Sequence, residues 1–215
     1  MTKIQKAGSL VQATTQTMAS GQEKDYPTKR NPEFFRQKVF QVCPDFKVTN
    51  ANRELLNSIY DYVHGGGILD PEKGILFYGP VGTGKSTLMK ILAEYQRIFG
   101  KGFACVNTSY LTGMYATYGN DALDESTWNR GSGIPNPVER GFDELGRETS
   151  PAKYYGNELN VMQQILQIRY DLKVKTHATT NLQIHEIETR YGEHIYDRCF
   201  EMFNFVEVKG ESFRI

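Results

Sequence analysis

The run Gly79-Pro80-Val81-Gly82-Thr83-Gly84-Lys85-Ser86, followed by Thr87, restricts what this chain can fold into more than anything else in it. Three glycines within six residues, ending on a lysine and a hydroxyl, suit the cradling of a phosphate chain. Backbone N–H groups must converge on the anion with no side chain in the way, and Gly79, Gly82 and Gly84 allow that approach. Lys85 would reach the β- and γ-phosphates, Ser86 would ligate Mg²⁺, and the helix starting there adds the positive end of its dipole. Such a loop needs a buried strand before it and a helix after it. Ile75-Leu76-Phe77-Tyr78 is a continuous apolar run, as expected of a strand covered on both faces. Leu88, Ile91, Leu92, Tyr95 and Phe99 recur at helical spacing. Phe103-Ala104-Cys105-Val106 then reads as the next strand. The residues predict a nucleotide site that takes ATP and Mg²⁺.

Alternation continues on both sides of this unit. Phe34, Phe35, Val39 and Phe40 mark a helix after Pro32, and Asn50 reads as the N-cap of a second helix over 51–63 that Gly65-Gly66-Gly67 ends. Residues 108–137 look less regular and close on Gly131-Ser132-Gly133-Ile134-Pro135-Asn136-Pro137. A strand leads into Asp143; Leu159, Met162, Ile165 and Leu166 mark a helix; 174–180 reads as a strand. Two short helices over 183–202 and a strand Phe205-Val206-Glu207-Val208 complete the pattern. This order predicts an α/β P-loop NTPase with a parallel sheet covered by helices on both faces. With 215 residues there is room for one sizeable domain, over 31–215. Residues 1–30, rich in Gln, Thr, Ser and Lys, read as a flexible tail.

Composition excludes more than it selects. Lys and Arg number 25 against 25 Asp and Glu, so no global field draws the chain to nucleic acid. No stretch approaches the roughly 18 apolar residues a membrane helix needs. Cys43, Cys105 and Cys199 form no CxxC pair and read as reduced thiols of a cytoplasmic protein; the four histidines have no metal-ligand spacing.

A P-loop NTPase also needs a carboxylate for the hydrated metal and a group that activates water. Phe142-Asp143-Glu144-Leu145-Gly146 supplies both, Asp143 for Mg²⁺ and Glu144 as the base, although the preceding Val138-Glu139-Arg140-Gly141-Phe142 is only half apolar. Asn181 follows the strand Thr176-His177-Ala178-Thr179-Thr180 at the sheet edge where open α/β folds bind ligands. It reads either as a water-positioning group or as a helix cap. Arg198 stands beside Asp197 and Glu201, where a surface ion pair is an equal account.

From about Phe46 to Arg214 the chain resembles the AAA+ ATPases of the bacterial DnaC-type helicase loaders and IstB-type transposition helpers. The resemblance rests on Gly79–Thr87, Asp143-Glu144-Leu145-Gly146, Asn160 through Tyr170, Thr179-Thr180-Asn181-Leu182, and Arg190-Tyr191-Gly192-Glu193 leading into Asp197-Arg198. It implies that Asn181 is the sensor-1 residue, that Arg198 is an arginine finger acting in trans, and that Arg214 is a sensor-2-like arginine. It further implies self-association into a ring or spiral with active sites shared between subunits, and partners drawn from single-stranded DNA, a replicative helicase or a transposase. The family's Gly-Glu-Arg reads Gly192-Glu193-His194 here. No separate C-terminal lid domain is expected, and about 45 residues precede the matching region.

The leading expectation is an ATP-hydrolysing AAA+ protein acting in DNA replication as a helicase loader, with Lys101, Tyr110, Tyr115 and Tyr118 as candidate DNA contacts. A transposition helper, a nucleotide-gated binding module with little hydrolysis, and a small-molecule phosphotransferase using 108–137 as a lid around Arg130 are the alternatives.

Overall fold

The computed structural model describes residues 30–129 and 136–210. Helices α1 (Pro32–Val42) and α2 (Asn50–Val63) precede β1 (Gly74–Tyr78), and α3 (Lys85–Arg97) leads on to β2 (Ala104–Asn107). Helices α4 (Thr108–Tyr118) and α5 (Asn120–Thr127) follow, then a short antiparallel pair of β3 (Trp128–Asn129) with β4 (Asn136–Pro137), and β5 (Arg140–Leu145). A hairpin of β6 (Ala152–Tyr154) and β7 (Asn157–Leu159) comes next. The chain continues through α6 (Val161–Asp171), β8 (Thr176–Thr180), α7 (Ile184–Tyr191), α8 (Glu193–Met202) and β9 (Phe203–Glu207).

Five strands form one parallel sheet in the order β2-β5-β8-β1-β9. The α/β expectation holds, and the crossover from β1 through α3 reaches the far edge, so β5 and β8 lie between β1 and β2. Alternate side chains of a strand face opposite sides of its sheet. Ile75 and Phe77 accordingly pack with α1, α2 and α3, through Phe35, Ile59, Leu88 and Leu92. Leu76 packs with the helices of the other face, through Leu111, Ile165, Leu166, Ile187 and Ile195.

Capping explains where the first helices start. The Asn31 side chain accepts from Phe34 N–H, with Pro32 in the first turn. In α2 the cap is Thr49, not Asn50. Its hydroxyl accepts from Asn52 N–H while the Asn52 side chain accepts from Thr49 N–H, a reciprocal pair one residue earlier than expected. The segment expected to be irregular holds two helices. The buried positions of α4 are Thr108, Leu111, Thr112 and Tyr115, a helical stripe in which two threonines stand where an apolar count looks for hydrocarbon. The β9 strand begins at Phe203, two residues before the expected start.

The half-apolar approach to Asp143 is also accounted for. Within β5, Gly141, Phe142 and Leu145 are buried, while Glu139, just before the strand, turns its carboxylate to buried His177 Nε2 at 2.7 Å. His177 Nδ1 accepts from Ile75 N–H at 3.0 Å, so Nε2 carries the proton and the ring is neutral. Burial holds the His177 pKa below its usual value. Arg169 is fully buried behind β8 and donates to Thr176 Oγ1 and to the carbonyls of Ser126, Val138 and Lys175. Burial brings its pKa down to about 9, which leaves it charged at neutral pH. The expected tail over 1–30 and Arg130 lie outside the described residues, apart from Arg30 itself.

Candidate functional site

The C-terminal ends of β1, β5 and β8 open on the same sheet edge, where open α/β folds take ligands. Beyond β1 the chain turns through the glycine loop into α3. Gly79 has φ +136°, and a Cβ there would lie 2.6 Å from the Val208 carbonyl oxygen. Gly84 has φ +89° and is the residue from which α3 starts, with no side-chain cap, so the N–H groups of the first turn are left without intrahelical partners. Thr83 closes the loop through its hydroxyl on the Pro80 carbonyl, 2.9 Å. Lys85 is nearly buried, and its ammonium donates to the carbonyls of Gly79 (2.8 Å) and Pro80 (2.5 Å).

A cavity of about 560 Å³ lies over this loop. One wall is Val81 through Leu88. Glu144, Thr179 and Asn181 close the sheet side, and Cys43, Phe46, Lys47 and Asn52 close the side formed by the connection between α1 and α2. Its size suits a nucleotide-sized ligand.

The two adjacent carboxylates have different surroundings. Asp143 Oδ1 accepts from the Ser86 hydroxyl at 2.7 Å and from the Thr179 hydroxyl at 2.6 Å. A hydroxyl and a carboxylate so close together, on the first turn of α3 and the end of β5, are hard oxygen donors of the kind Mg²⁺ prefers, and they fit that ion. Among the described residues no group of three or more His, Cys, Asp or Glu is placed to hold a metal without such help. Glu144 is held at both oxygens. Asn107 Nδ2 donates to Oε2 at 2.9 Å, and Arg147 Nη1 lies 2.5 Å from Oε1.

Backbone geometry makes this possible. Pairing of β5 with β8 slips between Phe142 and Leu145, and Glu144 takes φ +63°, a left-handed conformation uncommon outside glycine. Its N–H leaves the sheet ladder and donates to Thr179 Oγ1 at 3.0 Å, and its carbonyl accepts from the Thr108 hydroxyl at 2.8 Å. Behind the turn Glu148, almost wholly buried, accepts from Gly146 N–H at 2.9 Å, from the Tyr191 hydroxyl at 2.6 Å and from Arg190 at 3.3 Å. Burial, with the Glu148 carboxylate second, raises the Tyr191 pKa, so that hydroxyl stays protonated as a donor.

Ser86, Thr87, Lys85, Asp143, Glu144 and Asn181 thus meet around one cavity or its floor. Asn181 is not the cap of the following helix; Gln183 is. Arg198 stands elsewhere. Those described residues that line the cavity do not include it, and its guanidinium lies 4.7 Å over the ring of Tyr170, where the sequence left a surface ion pair with Asp197 or Glu201 as an equal account. Arg214 lies outside the described residues. Of the candidate DNA contacts, Tyr110 and Tyr118 are exposed on α4, but Tyr115 is 4% exposed and packs on Tyr154, so it is unavailable for stacking on a base.

Sequence reasoning missed Asn107, Arg147, Thr179 and the wall from Cys43 to Asn52. Asn107, a polar residue closing β2, and Thr179, near the end of β8, are signals of the right kind, since polar groups at the C-terminal ends of parallel strands face the ligand edge. Nothing in the irregular 43–49 stretch marks it as a wall.

No protein-family model matches the chain, and no curated protein does. Solved structures do. The DnaC helicase loader is 18% identical, with 80% of this chain and 99% of that one aligned at a TM-score of 0.57. DnaI is 17% identical over 83% and 93%, at 0.59. The replication initiator DnaA bound to AMPPCP and single-stranded DNA is 15% identical over 85% of this chain and 51% of that one, at 0.53. At these identities the likeness shows the fold alone, an α/β fold built on a five-stranded parallel sheet. No helix of the described residues is long and apolar enough to cross a membrane.

Proposed function

We propose that this chain binds ATP with Mg²⁺ and hydrolyses it as a subunit of an AAA+ assembly in DNA replication, in the manner of a replicative helicase loader. The observation that carries the proposal is the meeting of Ser86 and Asp143, 2.7 Å apart, at the start of α3 below the glycine loop, with Glu144 next in the chain.

The roles follow from chemistry. Loop N–H groups and the α3 dipole hold the phosphates. Lys85 exchanges the Gly79 and Pro80 carbonyls for phosphate oxygens, a gain for a nearly buried cation. Ser86 and Asp143 would hold Mg²⁺, which would supply charge neutralisation at the phosphate oxygens. Glu144 takes the proton of the attacking water once Asn107 or Arg147 releases one oxygen. Asn181, on the cavity wall, orients that water. Arg198, outside its own chain's cavity, acts on the nucleotide of the next copy in a ring or spiral, where such a residue is worth about 10³–10⁵ in rate. Arg214 is proposed to touch the nucleotide as a sensor-2-like residue. Residues 31–215 form one ATPase domain of a cytoplasmic protein.

The likeness to DnaC, DnaI and a DnaA bound to single-stranded DNA supports replication as the setting, with a replicative helicase and single-stranded DNA as partners and exposed Tyr110 and Tyr118 as stacking contacts. An IstB-type helper would share this core and differ in binding a transposase. A nucleotide-gated module with slow hydrolysis is favoured by one observation, the engagement of both Glu144 oxygens.

The test is steady-state ATP hydrolysis across protein concentration, with and without single-stranded DNA, for the native chain and Arg198→Ala. Turnover per subunit should rise with concentration and collapse in the variant while nucleotide binding survives. Turnover independent of concentration and of Arg198 would overturn the shared site. Tight binding without turnover would leave the nucleotide-gated module.

A further inference from the structure

The finger assignment leaves open what aims Arg198. A long side chain on a half-exposed helix face samples many rotamers, and its effect on a neighbour's nucleotide depends on one of them. Two helices contribute to the answer. Tyr170, in the last turn of α6, lies under Arg198 of α8, with the guanidinium carbon 4.7 Å from the ring centroid. The same tyrosine hydroxyl donates to Glu201 Oε2 at 3.0 Å. Arg198 and Glu201 are three residues apart on α8 and so share a face. The ring is therefore held at its edge by the carboxylate and carries the guanidinium on its face. Hydrogen bonding to Glu201 raises the Tyr170 pKa, so the hydroxyl remains a donor through the neutral range.

We propose that Tyr170 is a positioning residue for Arg198, a shelf whose ring face orients the guanidinium for delivery to the ATP bound by the adjacent copy of this chain, with Glu201 fixing the ring. The inference rests on the reading of Arg198 as a finger in trans. Ring faces attract guanidinium groups electrostatically and by stacking, so the shelf narrows the arginine's freedom without consuming all its N–H donors. An ion pair would hold the same charge by occupying the donors that must reach a phosphate.

Loss of the shelf should lower kcat by between about twofold and thirtyfold, the range of such contacts, with the KM for ATP unchanged because the chain's own cavity is untouched. The experiment compares Tyr170→Ala, Tyr170→Phe, Arg198→Ala and the double variant Tyr170→Ala/Arg198→Ala in the full chain, with thermal melting as a check on folding. Tyr170→Phe keeps the face and should retain most of the turnover. The double variant should be no slower than Arg198→Ala alone. Adding Glu144→Gln subunits, which cannot activate water but keep a well-aimed finger, should raise the turnover of Tyr170→Ala subunits, a rescue that a merely packing role for the ring would not produce. Arg198→Ala with full turnover would overturn the finger reading and the shelf together. A slow Arg198→Ala with an unaffected or additive Tyr170→Ala, or no rescue by mixing, would overturn the shelf alone.

Discussion

Strands β1 and β8 lie side by side in the middle of the sheet and are nearly equally buried, yet their chemistry is opposite. β1 presents Ile75, Leu76 and Phe77 to the two cores. β8 carries Thr176, His177, Thr179 and Thr180 at about 1% exposure or less, and each has a partner. The partners divide at Ala178. Before it, Thr176 accepts from Arg169, and His177 joins Ile75 N–H to Glu139, which ties the fold together. After it, Thr179 holds Asp143 and the Glu144 N–H, and Thr180 donates to the Leu145 carbonyl, which shapes the site. Buried polar groups are costly unless fully bonded, so a central strand that keeps four of them is the place to look for something other than packing.

The contrast can be broken at its apolar side first. Phe77→Ala should cost about 3–5 kcal/mol in urea denaturation, leaving the turnover of the folded fraction close to that of the parent. Thr179→Val should do the reverse. It removes a hydroxyl from Asp143 and a partner from the Glu144 N–H, so stability should fall by only about 1–3 kcal/mol, while the Mg²⁺ concentration for half-maximal turnover rises about tenfold or more. Similar behaviour in the two variants would erase the distinction between the strands.

Arg147→Ala sharpens the picture at the neighbouring carboxylate, Glu144, the proposed base. Its contact with Glu144 involves a side chain 57% exposed, so it contributes at most about 1 kcal/mol, and turnover should rise by no more than about fivefold as one carboxylate oxygen is freed. A fall in turnover would mean that Arg147 assists the base and does not restrain it. The smallest effect lies at the other end of β8. Burial keeps the folded-state pKa of His177 below its ordinary 6.5. The neutral ring therefore contributes stability that is fully present above pH 6.5 and is lost as pH falls through the lower folded-state value. Denaturation midpoints between pH 7.5 and 5 should decline, and His177→Gln should flatten that decline.

Much of the fold was legible because packing speaks in apolar periodicity. The β1–loop–α3 unit combined a four-residue apolar run, a glycine loop and a helical stripe, and all three stand where the pattern put them. Helix α4 did not speak in that way, since its buried face is half threonine, with Thr112 bonded to the Ser109 carbonyl of its own helix. Within the site, the loop and the Asp143-Glu144 pair announce themselves by residue type. Asn107 and Arg147 do not. They matter only because a slipped register and a left-handed Glu144 turn one carboxylate toward both of them, and neither feature is local in sequence. Arg198 took its role from resemblance; the ring beneath it belongs to a helix 28 positions earlier and became visible only through packing.

The most direct test of the account is to measure ATP·Mg²⁺ binding and ATP turnover on the same preparations of the native chain and Glu144→Gln. Both should bind nucleotide within a few-fold of each other, and turnover should fall by about 10²–10⁴ in the variant, as expected for loss of a general base. A native chain that binds no ATP, or a Glu144→Gln variant that turns over at the native rate, would contradict it.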